Sequence, residues 1–179
     1  MNLNSAARID ANTFERGLTW KGYLALGVHS RETQERRYRE TKSESLGHLR
    51  LTRTNLRAVI VTLPDCADGA WAVPRLVYLL KEHLGVPVRL FHRENHPDLM
   101  NLLLTKGKRS VPKMALIDEN GTIVAQWGPR PAPIQSYVEE SVGMVDTVKW
   151  KEKLFEYYRS DESRVHFFQE LDGLFKGLK

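Results

Sequence analysis

Hydrophobic spacing changes along the chain and marks out its elements. From Leu56 to Leu63, "LRAVIVTL", apolar and β-branched residues run almost unbroken to Pro64, which predicts a strand buried on both faces. From Ala70 to Leu84, "AWAVPRLVYLLKEHL", Trp71, Leu76, Leu79, Leu80 and Leu84 keep a helical period, and Gly85 with Pro87 ends it. "PVRLFH" predicts a second strand. "HPDLMNLLLTKG" predicts a short helix, opened by Pro97 and closed by Gly107. "KMALID" and "TIVAQW" are short alternating runs around the turn signal "ENG", the pattern of an antiparallel hairpin.

Both ends of the chain have helical spacing. Phe14, Leu18, Tyr23 and Leu26 predict one helix over 12–27, with Asn12 or Thr13 as its cap, and a second, polar helix is expected over 30–46. Beyond residue 132 there is no strand signal. Ile134, Val138 and Val142, then Leu154, Phe155 and Tyr158, then Phe167, Phe168, Leu171 and Leu174 recur at helical intervals, with Ser160-Asp161 as a break and cap. The order helices, β, α, β, α, β, β, helices predicts an α/β fold. Its mixed central sheet holds two parallel strands joined by a crossover helix, followed by a hairpin. The expected organisation is a helical N-terminal segment 1–57, a core 58–131 and a helical C-terminal extension 132–179, all in one globular domain of 179 residues.

Composition narrows the function classes. No apolar run reaches the roughly 18 residues of a membrane span, and "MNLNSAARIDANTFERG" lacks a secretion signal, so a cytoplasmic protein is expected. Lys and Arg outnumber Asp and Glu by 27 to 22, and the excess lies before Ala58, with 11 basic against 6 acidic residues there and 16 against 16 after it. In "RETQERRYRETK" the charges interleave and no nucleic-acid-binding signature is present, which favours a solvated helix face over a nucleic-acid surface. The six histidines form no cluster with the cysteine, so no metal centre is expected. GxxxxGK[ST], GxGxxG and GxSxG are all missing. The peroxidatic PxxxTxxC fails at Leu63, and Cys-x5-Arg fails at Ala72.

The single cysteine, Cys66 in "LPDCADGAW", stands where the first core strand meets the crossover helix. With no second cysteine, any redox role needs a thiol from another molecule. A helix start favours thiolate through its free N–H groups and dipole, whereas Asp65 and Asp68 oppose it as like charge, so the sign of the net shift stays open. Asp65 reads as the helix N-cap.

Pro74 follows eight residues after Cys66. Ser110-Val111-Pro112 stands directly before the hairpin, with Pro112 46 positions after the cysteine, and Gly128 ends the last strand. In this combination the segment 58–131 resembles the thioredoxin superfamily. More narrowly, "RENHPDLMNLLLTKGKRSVPKMALIDENGTIVAQWGPRP" is similar to bacterial thioredoxin family proteins with a CGD-type single-cysteine motif, and Asp68 matches the aspartate of that motif.

The resemblance implies a thioredoxin-like fold, a cis Val111–Pro112 bond, an extended partner pairing with the backbone of Val111, and Cys66 as nucleophile. Three departures limit it. Gly69 occupies the second-thiol position, Ile60 replaces the buried acid, and Asp65 replaces the tryptophan before the cysteine. A dithiol reductase is therefore excluded. What remains is a monothiol oxidoreductase, in which Cys66 forms mixed disulfides or is oxidised to sulfenic acid and rescued by a small thiol. The candidate site comprises Cys66 as catalytic residue and Asp68, Arg109, Ser110, Val111 and Pro112 as binding residues. No bound cofactor is expected. Glutathione or another low-molecular-weight thiol is the implied co-substrate, and Lys106, Lys108 and Arg109 either hold its carboxylates or form an ordinary solvated loop. The partner is a protein or a small thiol. The alternative is a redox-inactive binding or assembly module that keeps the fold and meets a protein through its terminal helices. Whether the C-terminal helices cover the site or the far face of the sheet is open.

Overall fold

The computed structural model describes residues 7–28, 31–144 and 146–178. At its centre is β1 (Arg57–Thr62), buried at every position after the first. β2 (Val88–His92) pairs with it in parallel, Ile60 opposite Leu90, and β3 (Lys113–Ile117) pairs antiparallel, Ile60 opposite Met114. β4 (Ile123–Trp127) closes the hairpin with β3, giving the order β2-β1-β3-β4. This is the mixed sheet that the element order predicts.

Successive side chains of a strand point to opposite faces, and here each face meets its own core. Ala58, Ile60, Leu90, Met114 and Leu116 pack with Trp71, Leu76, Leu80, Phe167 and Leu171. Val59, Val61, Phe91, Ala115 and Ile117 pack with Phe14, Leu99, Met100 and Val111.

The predicted helix over 12–27 is two helices. α1 (Ala11–Glu15) is capped by Asp10, and α2 (Trp20–Leu24) by Thr19, so neither Asn12 nor Thr13 is the cap. The break falls at Leu18, whose backbone exchanges two 2.8 Å hydrogen bonds with Leu90 and so covers the outer edge of β2. An edge strand with unpaired N–H and C=O groups gains more from that pairing than the segment gains from helical continuity. Leu26, expected on the apolar face, is exposed. α3 (Arg31–Thr41) is the polar helix, and its expected start at residue 30 lies outside the described residues.

The crossover helix, α4 (Ala67–Val77), is buried from Asp68 to Val77, because the sheet packs on one side and helices on the others. It runs on as a π-helical stretch, Tyr78–His83, which the sequence period does not distinguish from an α-helix. α5 (Pro97–Asn101) starts on its proline, as expected. The C-terminal segment forms α6 (Ala132–Ser141), α7 (Thr147–Arg159) and α8 (Asp161–Lys176), with Ser160 capping α8 through its hydroxyl. Val142 and Phe155, read as part of the apolar stripe, are exposed. Phe167 of α8 lies edge-on to both Trp71 and Trp127, so these helices bury one sheet face together with α4. Both tryptophans are core residues. Among the described residues no helix is long and apolar enough to cross a membrane.

Candidate functional site

Cys66 is itself the N-cap of α4. Its backbone is extended, at φ −76° and ψ 118°, and its sulfur accepts a hydrogen bond from the Gly69 N–H at 3.3 Å. Asp65 is therefore not the cap. Aspartate has the stronger intrinsic preference, but the helix begins one residue later and leaves Asp65 exposed. The thiol is half-buried and donates to the carbonyl of Val111 at 3.6 Å. Burial pushes its pKa up; the Gly69 N–H pulls the other way and the Asp68 charge adds to the rise. Burial thus decides the sign that the sequence leaves open.

Val111–Pro112 is cis, as the resemblance implies, and Gly128–Pro129 is a second cis bond. Gly128 holds a left-handed backbone at φ +107°, and a Cβ there would sit 2.3 Å from the Pro112 carbonyl oxygen, so only glycine lets β4 end against this loop. Lys113 donates to the Gly128 carbonyl at 3.2 Å and ties the two loops together.

Gly69 also has a steric reason. A Cβ on it would lie 2.6 Å from the Thr62 Oγ1 at the end of β1. The first turn of α4 packs so closely on the strand that a side chain at the second-thiol position would have to displace the Thr62 hydroxyl.

Asp68 turns inward from that turn. One carboxylate oxygen meets Arg130 at 2.6 Å and the other accepts from the Tyr158 hydroxyl at 2.5 Å. The Tyr158 ring stacks on Trp71 with centroids 4.7 Å apart, and the Trp71 indole donates to the Tyr158 carbonyl at 3.1 Å. Burial and the Asp68 charge hold the Tyr158 hydroxyl protonated far above the usual tyrosine range. A protonated phenol and a guanidinium are the donors that a buried carboxylate needs.

The predicted site residues do not all converge. Cys66 meets Val111, the residue before Pro112, and Asp68 is held in an ion pair with Arg130. Ser110 lines a groove of about 510 Å³ with Lys106, Lys108, Arg130 and Glu139. Lys106 is paired with Glu139 at 2.7 Å. Arg109 stands apart from the groove lining and donates to Asn101 at 3.1 Å. Arg130 and Tyr158 are the residues that sequence reasoning missed. Arg130 lies in the "GPRP" that carries the resemblance, yet nothing local connects it to Asp68, and Tyr158 reads only as an apolar stripe position. Among the described residues no three or more His, Cys, Asp or Glu side chains are grouped as a metal site.

Two solved structures share the architecture. An HIV epitope-scaffold superposes with a TM-score of 0.67 at 12% identity, covering 94% of this chain and 98% of its own. A protein of unknown function from Pseudomonas aeruginosa superposes with a TM-score of 0.66 at 14% identity, covering 93% of this chain and 96% of its own. At such identities the likeness is one of fold. No curated protein matches. The model of the thioredoxin family matches residues 17–148, a span that holds the whole sheet, α4 and both cis-proline loops, and the chain belongs to that family.

Proposed function

We propose that the chain is a monothiol of the single-cysteine, CGD-like type, in which Cys66 forms mixed disulfides with a partner laid along Val111. The observation that carries this reading is the 3.6 Å contact between the Cys66 sulfur and the Val111 carbonyl, which puts the nucleophile beside the backbone an extended chain would pair with.

The exchange balances without an added oxidant. The Cys66 thiol gives its proton to solvent, the thiolate attacks a disulfide R–S–S–R′, a Cys66–S–S–R bond forms, and R′–S⁻ leaves and is protonated. The thiolate of a low-molecular-weight thiol such as glutathione then attacks the R sulfur of the mixed disulfide, forming a new disulfide with R as Cys66 leaves as thiolate. Ionisation removes the S–H donor from the Val111 carbonyl and leaves that oxygen to a partner N–H. Burial makes thiolate scarce at neutral pH, so exchange is slow there and quickens as the pH rises.

Incubation with glutathione disulfide at pH 7 and pH 9, followed by intact-mass measurement, tests the reading. An adduct that forms faster at pH 9 and is absent in Cys66→Ser is the expected result. If the folded chain gains none at either pH while the urea-unfolded chain does, the redox reading fails.

A second reading rests on the same sulfur doing structural work: it caps α4 and burial keeps it protonated. On that reading the chain is a binding module, and a partner retained in full by Cys66→Ser separates the two.

A further inference from the structure

Away from Cys66, α3, α4 and α8 meet around a depression of about 320 Å³ lined by Arg37, Glu40, Thr41, Glu44, Arg75 and Arg164. Arg75 is only 6% exposed. Its guanidinium donates to the Trp71 carbonyl one turn back and lies over the Trp71 ring, 4.6 Å from the centroid. Arg37, half-buried, donates to the Ala70 carbonyl at 2.8 Å. Among the described residues neither guanidinium has a carboxylate within ion-pair reach. Within the lining Glu44 pairs with Arg164 at 3.0 Å, and Arg164 also meets Asp161 at 2.7 Å; Glu40, more than half exposed, faces Arg36 at 3.9 Å.

A buried cation with no direct ion pair is costly, and the fold has gathered buried Arg75 and half-buried Arg37 beside Arg164, with only the more distant charges of Glu44 and Glu40 to offset them. Burial first, then the nearness of Arg37 and Arg164, pushes the Arg75 pKa down to about 10 against the opposing pull of Glu44 and Glu40. An anion placed between them would relieve both effects. The guanidinium forks come from two different helices and present several N–H donors, which suits a tetrahedral oxyanion carrying close to two charges better than a single carboxylate.

We propose that this depression binds a phosphate group, either free inorganic phosphate or the head of a small phosphomonoester. The site is independent of the thiol, and its volume leaves space for an organic body beyond the phosphate. An occupant would bridge α3 and α4 and so hold the crossover helix in place.

The test is thermal unfolding and titration calorimetry of the full chain with millimolar inorganic phosphate or glycerol phosphate, against sodium chloride at equal ionic strength. The expected result is a saturable rise in the unfolding midpoint of about 2–4 °C, kept in Cys66→Ser. Arg37→Gln should weaken binding by about tenfold or more, since it removes a charge-assisted donor. Arg75→Gln should do the same; if that buried change prevents folding, half-exposed Arg37 still decides the matter. Tighter binding of glycerol phosphate than of inorganic phosphate identifies a phosphomonoester ligand, and the reverse identifies the free ion. The proposal is overturned if phosphate acts no differently from chloride, or if Lys108→Gln abolishes the effect while Arg37→Gln does not.

Discussion

The hydroxyl of Tyr158 donates to the carboxylate of Asp68 at 2.5 Å, joining residues 90 positions apart. Arg130 grips the same carboxylate from the loop after β4. The first turn of α4, at whose start Cys66 stands, is thereby held by two separate parts of the chain.

Tyr158→Phe keeps the ring stacked on Trp71 and deletes one buried hydrogen bond to a charged acceptor. A loss of about 1.5–3 kcal/mol is expected, read from the urea midpoint with an unchanged slope.

Arg130→Gln leaves the buried Asp68 carboxylate without its cation and should cost about 3–5 kcal/mol. Asp68→Asn in the same chain should recover much of that. A double-mutant cycle on urea unfolding measures the coupling, and additive losses would show that the pair does not act as one.

The thiol sets a pH dependence whose direction is fixed. Its folded pKa lies above its unfolded value, so between the two the native state keeps a proton that the unfolded state has lost. This contribution is complete below about pH 8.5 and is lost as the pH rises through the folded value. Wild type should therefore lose more stability than Cys66→Ser between pH 8 and pH 10. Asp68→Asn removes a like charge and should move the midpoint of Cys66 alkylation to lower pH.

Gly69→Cys tests why the second thiol is missing. The new Cβ would lie 3.3 Å from the Cys66 Cβ, close to disulfide range, but 2.6 Å from the Thr62 hydroxyl. The single variant should be destabilised by about 1–3 kcal/mol and should oxidise poorly. Adding Thr62→Ala should allow the bond, as counted by free thiols after mild oxidation.

Strands, hairpin, crossover helix and the end-of-strand cysteine were legible because each rests on short-range periodicity or on punctuation by Gly and Pro. The cis-proline loop was legible through resemblance alone. Local signals misled where tertiary pairing won: Leu18 leaves a helical pattern to pair with Leu90, and Cys66 takes the cap that propensity assigns to Asp65. The partners of Asp68 were not legible at all, since they lie 62 and 90 residues away and no spacing rule connects them.

The family match ends at residue 148, ten positions before Tyr158, so the phenol that steadies Asp68 lies beyond the matched span. Substitutions in the last two helices therefore reach the sulfur's surroundings by a route that comparison of thioredoxin cores alone would overlook. Two proteins with the same sheet and cysteine but different tails would hold that sulfur in different polarity.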